Sequence, residues 1–241
     1  MINAILIFLL SLAGAFVLRV CGFGFGVFTM AWLPYLLPSY GEATTLSGIL
    51  AMSGSILVTI KNWKKIDWHK LTPILITFIV ASCASIYFVS LADDHVLKRI
   101  LGVMLIVASL WFMVFSKRVK VKPTLTIQIT MGTLSGVMGG LFAMHGPAAV
   151  LYFLACSKDK DEYVALTMSY LLLGNIMMLG FRINNGFLTP AVGYAFLYGI
   201  IAVGIGTWIG GKVFKHLSTD VVKKVSYAYI AISGVMSLIM S

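Results

Sequence analysis

Apolar residues run along this chain in long blocks, and polar residues gather in short clusters between them. Six blocks, at about 43–60, 71–91, 96–115, 163–181, 189–211 and 221–240, are each long enough for one helix to cross a bilayer, which takes about 20 residues. Two further stretches, 2–37 and 124–156, are too long for one crossing, and glycines interrupt both in the middle. The first interruption reads Arg19-Val-Cys-Gly-Phe-Gly-Phe-Gly26 and the second Gly139-Gly-Leu-Phe-Ala-Met-His-Gly-Pro147. Glycine and proline inside an apolar segment favour a break or a sharp bend over a continuous helix.

The pattern repeats. Gly14 and Gly22 match Gly132 and Gly140 at one offset, Gly54 matches Gly174, and Val96-Leu-Lys-Arg-Ile100 matches Val221-Val-Lys-Lys-Val225. Each half is then one broken stretch followed by three spans. Residues 1–116 form the first repeat, 117–123 a basic linker, and 124–241 the second repeat.

Charge decides how the halves lie. If each broken stretch crosses once, the halves are parallel and the loop cations divide evenly between the two sides. If each broken stretch is a hairpin that returns to the side it entered, the halves are inverted. Lys61, Lys64, Lys65, Lys70, Lys117, Arg118, Lys120, Lys122, Lys158, Lys160, Lys212, Lys215, Lys223 and Lys224 then share one side, and only Lys98, Arg99 and Arg182 lie on the other. The hairpin reading obeys the positive-inside rule. It makes the linker cytoplasmic and places both termini outside the cytoplasm. The fold class expected is therefore an all-α polytopic membrane protein of two inverted repeats, each a glycine-broken helical hairpin followed by three transmembrane helices, with hairpin legs of about 15 residues, or about 22 Å of helix.

Composition agrees: 60% of the 241 residues are apolar and 11% charged, against roughly 25% charged in a soluble domain. The excess of 18 Lys and Arg over 8 Asp and Glu reads as topology signal and contact with anionic membrane lipids rather than nucleic-acid binding. The three cysteines, Cys21, Cys83 and Cys156, are far apart and suggest no disulfide framework, metal site or cofactor. Residues 2–18 carry no basic n-region and read as part of the mature fold. No His-Glu-x-x-His, Gly-x-Ser-x-Gly or paired intramembrane aspartates are present, so the chain does not read as an enzyme.

A broken helix leaves backbone N–H groups unpaired at the start of its second half, and within hydrocarbon those groups need a partner. Helix starts carry partial positive charge, so the fitting partner is an anion. Inverted repeats with interrupted helices are also how many secondary transporters are built. The candidate substrate-binding set is Arg19, Cys21, Gly22, Gly24, Gly26, Ser53, Met144, His145, Gly146, Thr167, Tyr170 and Asn175. Glycine lets a ligand reach the backbone, and Pro147 fits the first turn of a restarted helix. Arg19 is read as the only cation outside the loop clusters, and is either the counter-charge of an anion or a residue snorkelling to the interface. His145 either serves the anion or pairs with a backbone carbonyl. Cys21 is a contact for a sulfur-bearing substrate or a small buried residue. Ser47, Ser53, Thr167, Tyr170 and Asn175 line a path or bond helix to helix. All eight acids fall in loops or at span ends, which favours an anionic substrate and argues against a carboxylate proton relay.

The segment Gly132-Thr-Leu-Ser-Gly-Val-Met-Gly-Gly-Leu-Phe-Ala-Met-His-Gly-Pro-Ala-Ala-Val-Leu-Tyr152 resembles the second-half signature of the sulfite exporter TauE/SafE family. Gly22-Phe-Gly-Phe-Gly-Val-Phe-Thr-Met-Ala-Trp-Leu-Pro34 resembles its glycine-rich first motif. The resemblance implies a cell-membrane transporter of small sulfur-containing anions such as sulfite, thiosulfate or sulfonates, among them sulfoacetate. An anion channel, or a carrier of a non-sulfur organic anion, fits the same residues. The oligomeric state is left open.

Overall fold

The computed structural model describes residues 2–114, 124–213 and 231–239. The basic linker 117–123 and most of the last apolar run, 221–240, lie outside the described residues. The described residues are mostly helical, with no strand among them. The order is α1 (Ile2–Cys21), α2 (Phe25–Thr29), α3 (Leu33–Leu36), α4 (Tyr40–Asn62), a 3₁₀ turn (Trp63–Lys65), α5 (Trp68–Leu91), α6 (Asp94–Val114), α7 (Leu125–Phe142), α8 (Gly146–Cys156), α9 (Lys160–Asn184) and α10 (Pro190–Val213), with residues 231–239 again helical. Among the described residues, six helical stretches are long and apolar enough to cross a membrane: Ile2–Val20, Tyr40–Lys65, Trp68–Leu91, Leu125–Phe142, Asp161–Asn184 and Pro190–Lys212.

The helix starts are written in the sequence. Ser39 caps α4 through a capping box, accepting from the Glu42 amide at 3.2 Å while Glu42 accepts from the Ser39 amide at 2.9 Å. Asp159 caps α9, accepting from the amides of Asp161 and Glu162. These caps carry α4 and α9 beyond their apolar cores, to 23 and 25 residues.

The four legs of the two broken stretches are unequal, where the sequence suggests about 15 residues each. α1 has 20 residues and α7 has 18, whereas α8 has 11 and the return after the first break is two short pieces of 5 and 4 residues. Pro34 stands in the first turn of α3 and Pro38 just beyond its end. A proline cannot donate the hydrogen bond that would continue a helix through it, so the return segment is cut short. Asn3 near the start of α1 donates to the Leu36 carbonyl at 3.5 Å, and Gln128 near the start of α7 donates to the Tyr152 hydroxyl at 2.5 Å. In both stretches the return segment therefore ends beside the point where the first helix began.

Small residues set which helices pair. On α7, Gly132, Gly136 and Gly140 form a stripe at four-residue spacing, and α5 lies along it. A Cβ on Gly136 would stand 2.6 Å from the Phe78 carbonyl oxygen, and one on Gly140 2.8 Å from that of Ser82. On α10, Gly206 faces the Leu12 carbonyl and Gly210 faces Phe16 and Arg19, so α1 lies along α10 in the same way. Both pairs run parallel, since rising residue numbers on one helix meet rising numbers on the other. α4 and α9 run antiparallel. Arg182 at the end of α9 donates to the Thr44 carbonyl at the start of α4 at 2.8 Å. At the opposite end Lys65 and Lys70 pair with Asp161 and Glu162 at 2.5 and 2.6 Å.

Alanine at Gly136 meets backbone that cannot turn away, so Gly136→Ala should cost about 1–3 kcal/mol through overpacking. Gly180 has nothing within 4 Å of where a Cβ would stand, so Gly180→Ala should be neutral or stabilise by up to about 1 kcal/mol. Thermal unfolding of both variants in detergent checks this, and equal melting temperatures would show that α5 and α7 are not in backbone contact.

Candidate functional site

α1 ends in a left-handed turn. The Gly22 amide donates to the Leu18 carbonyl at 2.8 Å, and Gly22 and Gly24 have φ of 81° and 103°. Side chains other than hydrogen rarely adopt these angles, so glycine is needed here. α7 ends in the same way but on Ala143, at φ 56°. The Ala143 and Met144 amides donate to the Gly139 and Met138 carbonyls at 2.9 and 3.2 Å. A left-handed alanine costs roughly 1 kcal/mol or more, and surroundings that fix the backbone must hold it.

Those surroundings are the other break. A Cβ on Gly26 would fall on the Ala143 carbonyl oxygen, and one on Gly146 would stand 2.9 Å from the Phe23 Cβ. The two interruptions, more than a hundred residues apart in sequence, thus lie against each other. The sequence reading gave these glycines the task of leaving room for a ligand. In this arrangement Gly26 leaves room for the opposite backbone and Gly146 for the Phe23 side chain. What space remains is a narrow cavity of about 20 Å³, enough for roughly one water. It is lined by Gly24 to Val27 and Ala143 to Pro147, and closed by Leu18, Ala51 and Leu171.

Polar groups gather behind the second break. His145 is buried, and its carbonyl accepts from the Ser135 hydroxyl, which in turn accepts from Tyr170 at 2.7 Å. Its ring packs on Phe78, with centroids 5.4 Å apart. Asn175 donates to the Leu171 carbonyl at 2.8 Å and lies 3.4 Å from His145 Nε2. His145 Nδ1, Asn175 Oδ1 and Thr167 Oγ1 are buried without a hydrogen-bond partner. Gly24, Gly26, Met144, His145, Gly146, Tyr170 and Asn175 are thus brought together. Gly22 faces the Tyr163 ring. Ser53 is half-buried and bonds within its own helix to Ile49, and Ser47 bonds to Thr29 across to α2 at 3.0 Å. Cys21 closes α1, and its side chain lies outside the described residues.

Arg19 is not among them. It is exposed in the last turn of α1, with its aliphatic stem against Gly210 of α10 and its guanidinium near Gly211, one residue before Lys212. Nor is it the only cation outside the loop clusters. Arg182, placed among the loop cations by the sequence reading, lies inside α9 and is 2% exposed. Nη1 donates to the Thr44 carbonyl at 2.8 Å, Nη2 donates to the Gly139 carbonyl at 3.1 Å, and Nε has no partner. Among the described residues no carboxylate forms an ion pair with it. One signal in the sequence was available: Asn175 and Arg182 are seven residues apart, on one face of α9.

The contact between the breaks predicts a graded response. Gly26→Ala drives a methyl into a carbonyl group and should lower stability by about 1–3 kcal/mol even with no anion present. Gly146→Ala meets a side-chain atom and should cost less. Thermal melts in anion-free buffer decide it, and wild-type stability in Gly26→Ala would separate the two breaks.

Residues 6–237 match the sequence model of the family described as Sulfite exporter TauE/SafE. No curated protein and no solved structure matches the chain. With the match covering nearly its whole length, this helical membrane protein belongs to the TauE/SafE sulfite exporter family.

Proposed function

We propose that the protein is a secondary transporter that carries small sulfur-containing anions, such as sulfite, thiosulfate or sulfonates, across the cell membrane. The observation that carries this reading is the meeting of two helix breaks beside a buried cation, Arg182, with which no carboxylate pairs among the described residues. Helix starts and a guanidinium attract anions, and a carboxylate there would repel them. Family membership supplies the sulfur-anion class.

Helix directions support two inverted repeats. α4 and α9 hold equivalent places in the two halves and run antiparallel, as inversion requires. α1 pairs with α10, and α7 pairs with α5, so each broken stretch lies along the second span of the other half. The return of each broken stretch to its starting point favours the hairpin reading. With the basic corners at Lys61–Lys70 and Lys158–Lys160 in the cytoplasm, both termini are outside.

Two measurements test the proposal. In a cysteine-free background, Lys64→Cys should react with an impermeant thiol reagent only from the cytoplasm and Asp93→Cys only from outside, and labelling of both from one side would sink the inverted arrangement. In proteoliposomes, labelled thiosulfate or sulfite should move saturably and faster when the unlabelled ion is present on the far side. Flux without such exchange would identify a channel, and exchange of carboxylates alone would remove sulfur anions as the substrate.

A further inference from the structure

Arg182 is a costly side chain to leave where it is. A buried charge taken from water without an opposite charge is strongly unfavourable, and an ionisable residue inside a membrane protein marks a functional site by default. The described contacts compensate it in part. The Gly139 carbonyl belongs to the last turn of α7, the partly negative end of that helix, and Thr44 supplies a second neutral acceptor from α4. Two of the five guanidinium N–H groups are satisfied by these carbonyls, while Nε–H is buried and unpaired.

The neighbourhood is also short of partners. Arg182 Nη1 and Asn175 Oδ1 flank Gly48, since a Cβ there would stand 2.8 and 3.3 Å from them. Asn175 Oδ1 is unpaired, and through its amide nitrogen the residue lies beside His145, whose Nδ1 is unpaired too. Three residues with buried, unpaired polar atoms, Arg182, Asn175 and His145, thus neighbour one another in turn from the end of α9 to the second break. A guanidinium presents parallel donors that match two oxygens on one centre, a fit that neither a carbonyl nor a halide provides.

We propose that Arg182 is the counter-charge of the transported anion, and that with Asn175 it forms an oxyanion subsite between α4, α9 and the end of α7. The inference rests on the anion-transport reading and deepens it. The ligand class is an oxyanion with at least two oxygens on one atom, sulfite and thiosulfate included. In the arrangement described, the carbonyls of Thr44 and Gly139 hold the guanidinium. A bound oxyanion takes over part of that role, so binding is exchanged against contacts that tie α9 to α4 and α7.

The deciding variant is Asn175→Asp, which supplies Arg182 with a resident carboxylate. It should raise the melting temperature and lower thiosulfate affinity at least 100-fold, measured by titration of the purified protein. Arg182→Gln should lose affinity to a similar degree, Arg182→Lys should lose about tenfold, and Arg99→Gln, exposed near the start of α6, should match wild type. A structural tie alone would leave thiosulfate affinity unchanged in Asn175→Asp, and that result overturns the proposal even if Arg182→Gln fails to fold. Loss confined to Arg19→Gln overturns it as well. Wild-type flux separates this inference from the broader one. If wild type and Asn175→Asp exchange thiosulfate with the same KM, the subsite falls and the transporter stands. If wild type exchanges acetate but no sulfur anion, and Asn175→Asp abolishes that exchange, the subsite stands and the sulfur substrate falls. If wild type binds none of these anions, both fall.

Discussion

The contact of Gly26 with the Ala143 carbonyl is the constraint around which the rest of the chain is arranged. A break inside an apolar helix frees backbone donors and acceptors that hydrocarbon cannot satisfy, so irregular backbone at membrane depth must be buried in protein. Each break solves this for the other. Their approach is closer than any side chain allows, and it can hold only if the helices leading into the breaks are themselves fixed. The glycine faces supply that fixation. α7 lies on α5 through Gly132, Gly136 and Gly140, and α1 lies on α10 through Gly206 and Gly210. Without a strong hydrophobic drive between helices in lipid, such close backbone packing is the main source of helix association.

α4 and α9 make a different kind of contact. They cross the centre antiparallel, and their contact is tied at both ends by charge. Outside the core, Lys65 and Lys70 meet Asp161 and Glu162 in pairs that are partly exposed, and such pairs contribute at most about 1 kcal/mol each. Arg182, at the opposite end, meets only carbonyls. The asymmetry is informative. At the exposed end Lys65 and Lys70 each have an acid; at the buried end Arg182 has none, although an acid there would satisfy it better than two neutral oxygens do. An unfilled preference of this kind fits a ligand that arrives and leaves.

How far the sequence could be read depended on the range of the forces involved. Helix starts depend on neighbours three residues away, so Ser39 with Glu42 and Asp159 with Glu162 announce α4 and α9 directly. The breaks were legible for the same reason, since Gly22, Gly24 and Pro147 act on their own backbone. The unequal legs were not, because the apolar run 2–37 hides the effect of Pro34 and Pro38 on the return segment. The purpose of Gly26 was also hidden: whether a glycine makes room for a ligand or for another backbone depends on residue 143, far away in sequence. Arg182 was misplaced because it is near the end of its span, where composition alone reads a cation as a loop residue. Arg19 misled for the opposite reason. It precedes a break in sequence, but its side chain leaves α1 toward α10.

The small size of the central cavity bears on mechanism. A sulfite ion, a sulfur with three oxygens, is larger than the single water that about 20 Å³ admits. The arrangement described is thus closed, and on the proposed path carrying an anion requires the breaks to separate. Separation within either glycine-packed pair would expose backbone along most of a helix, so the pairs α1 with α10 and α5 with α7 are the units least able to come apart. On that path the contact that can yield is the one between the pairs, where the breaks touch over only a few residues, Gly26 against the Ala143 carbonyl and Gly146 against the Phe23 side chain. Arg182 of α9 lies beside the second break, held by the carbonyls of Thr44 on α4 and Gly139 on α7. At the proposed subsite, an anion that takes the guanidinium from those carbonyls loosens the contacts of α9 with α4 and α7 in the act of binding. Differential binding of this kind is what lets a ligand shift a conformational equilibrium.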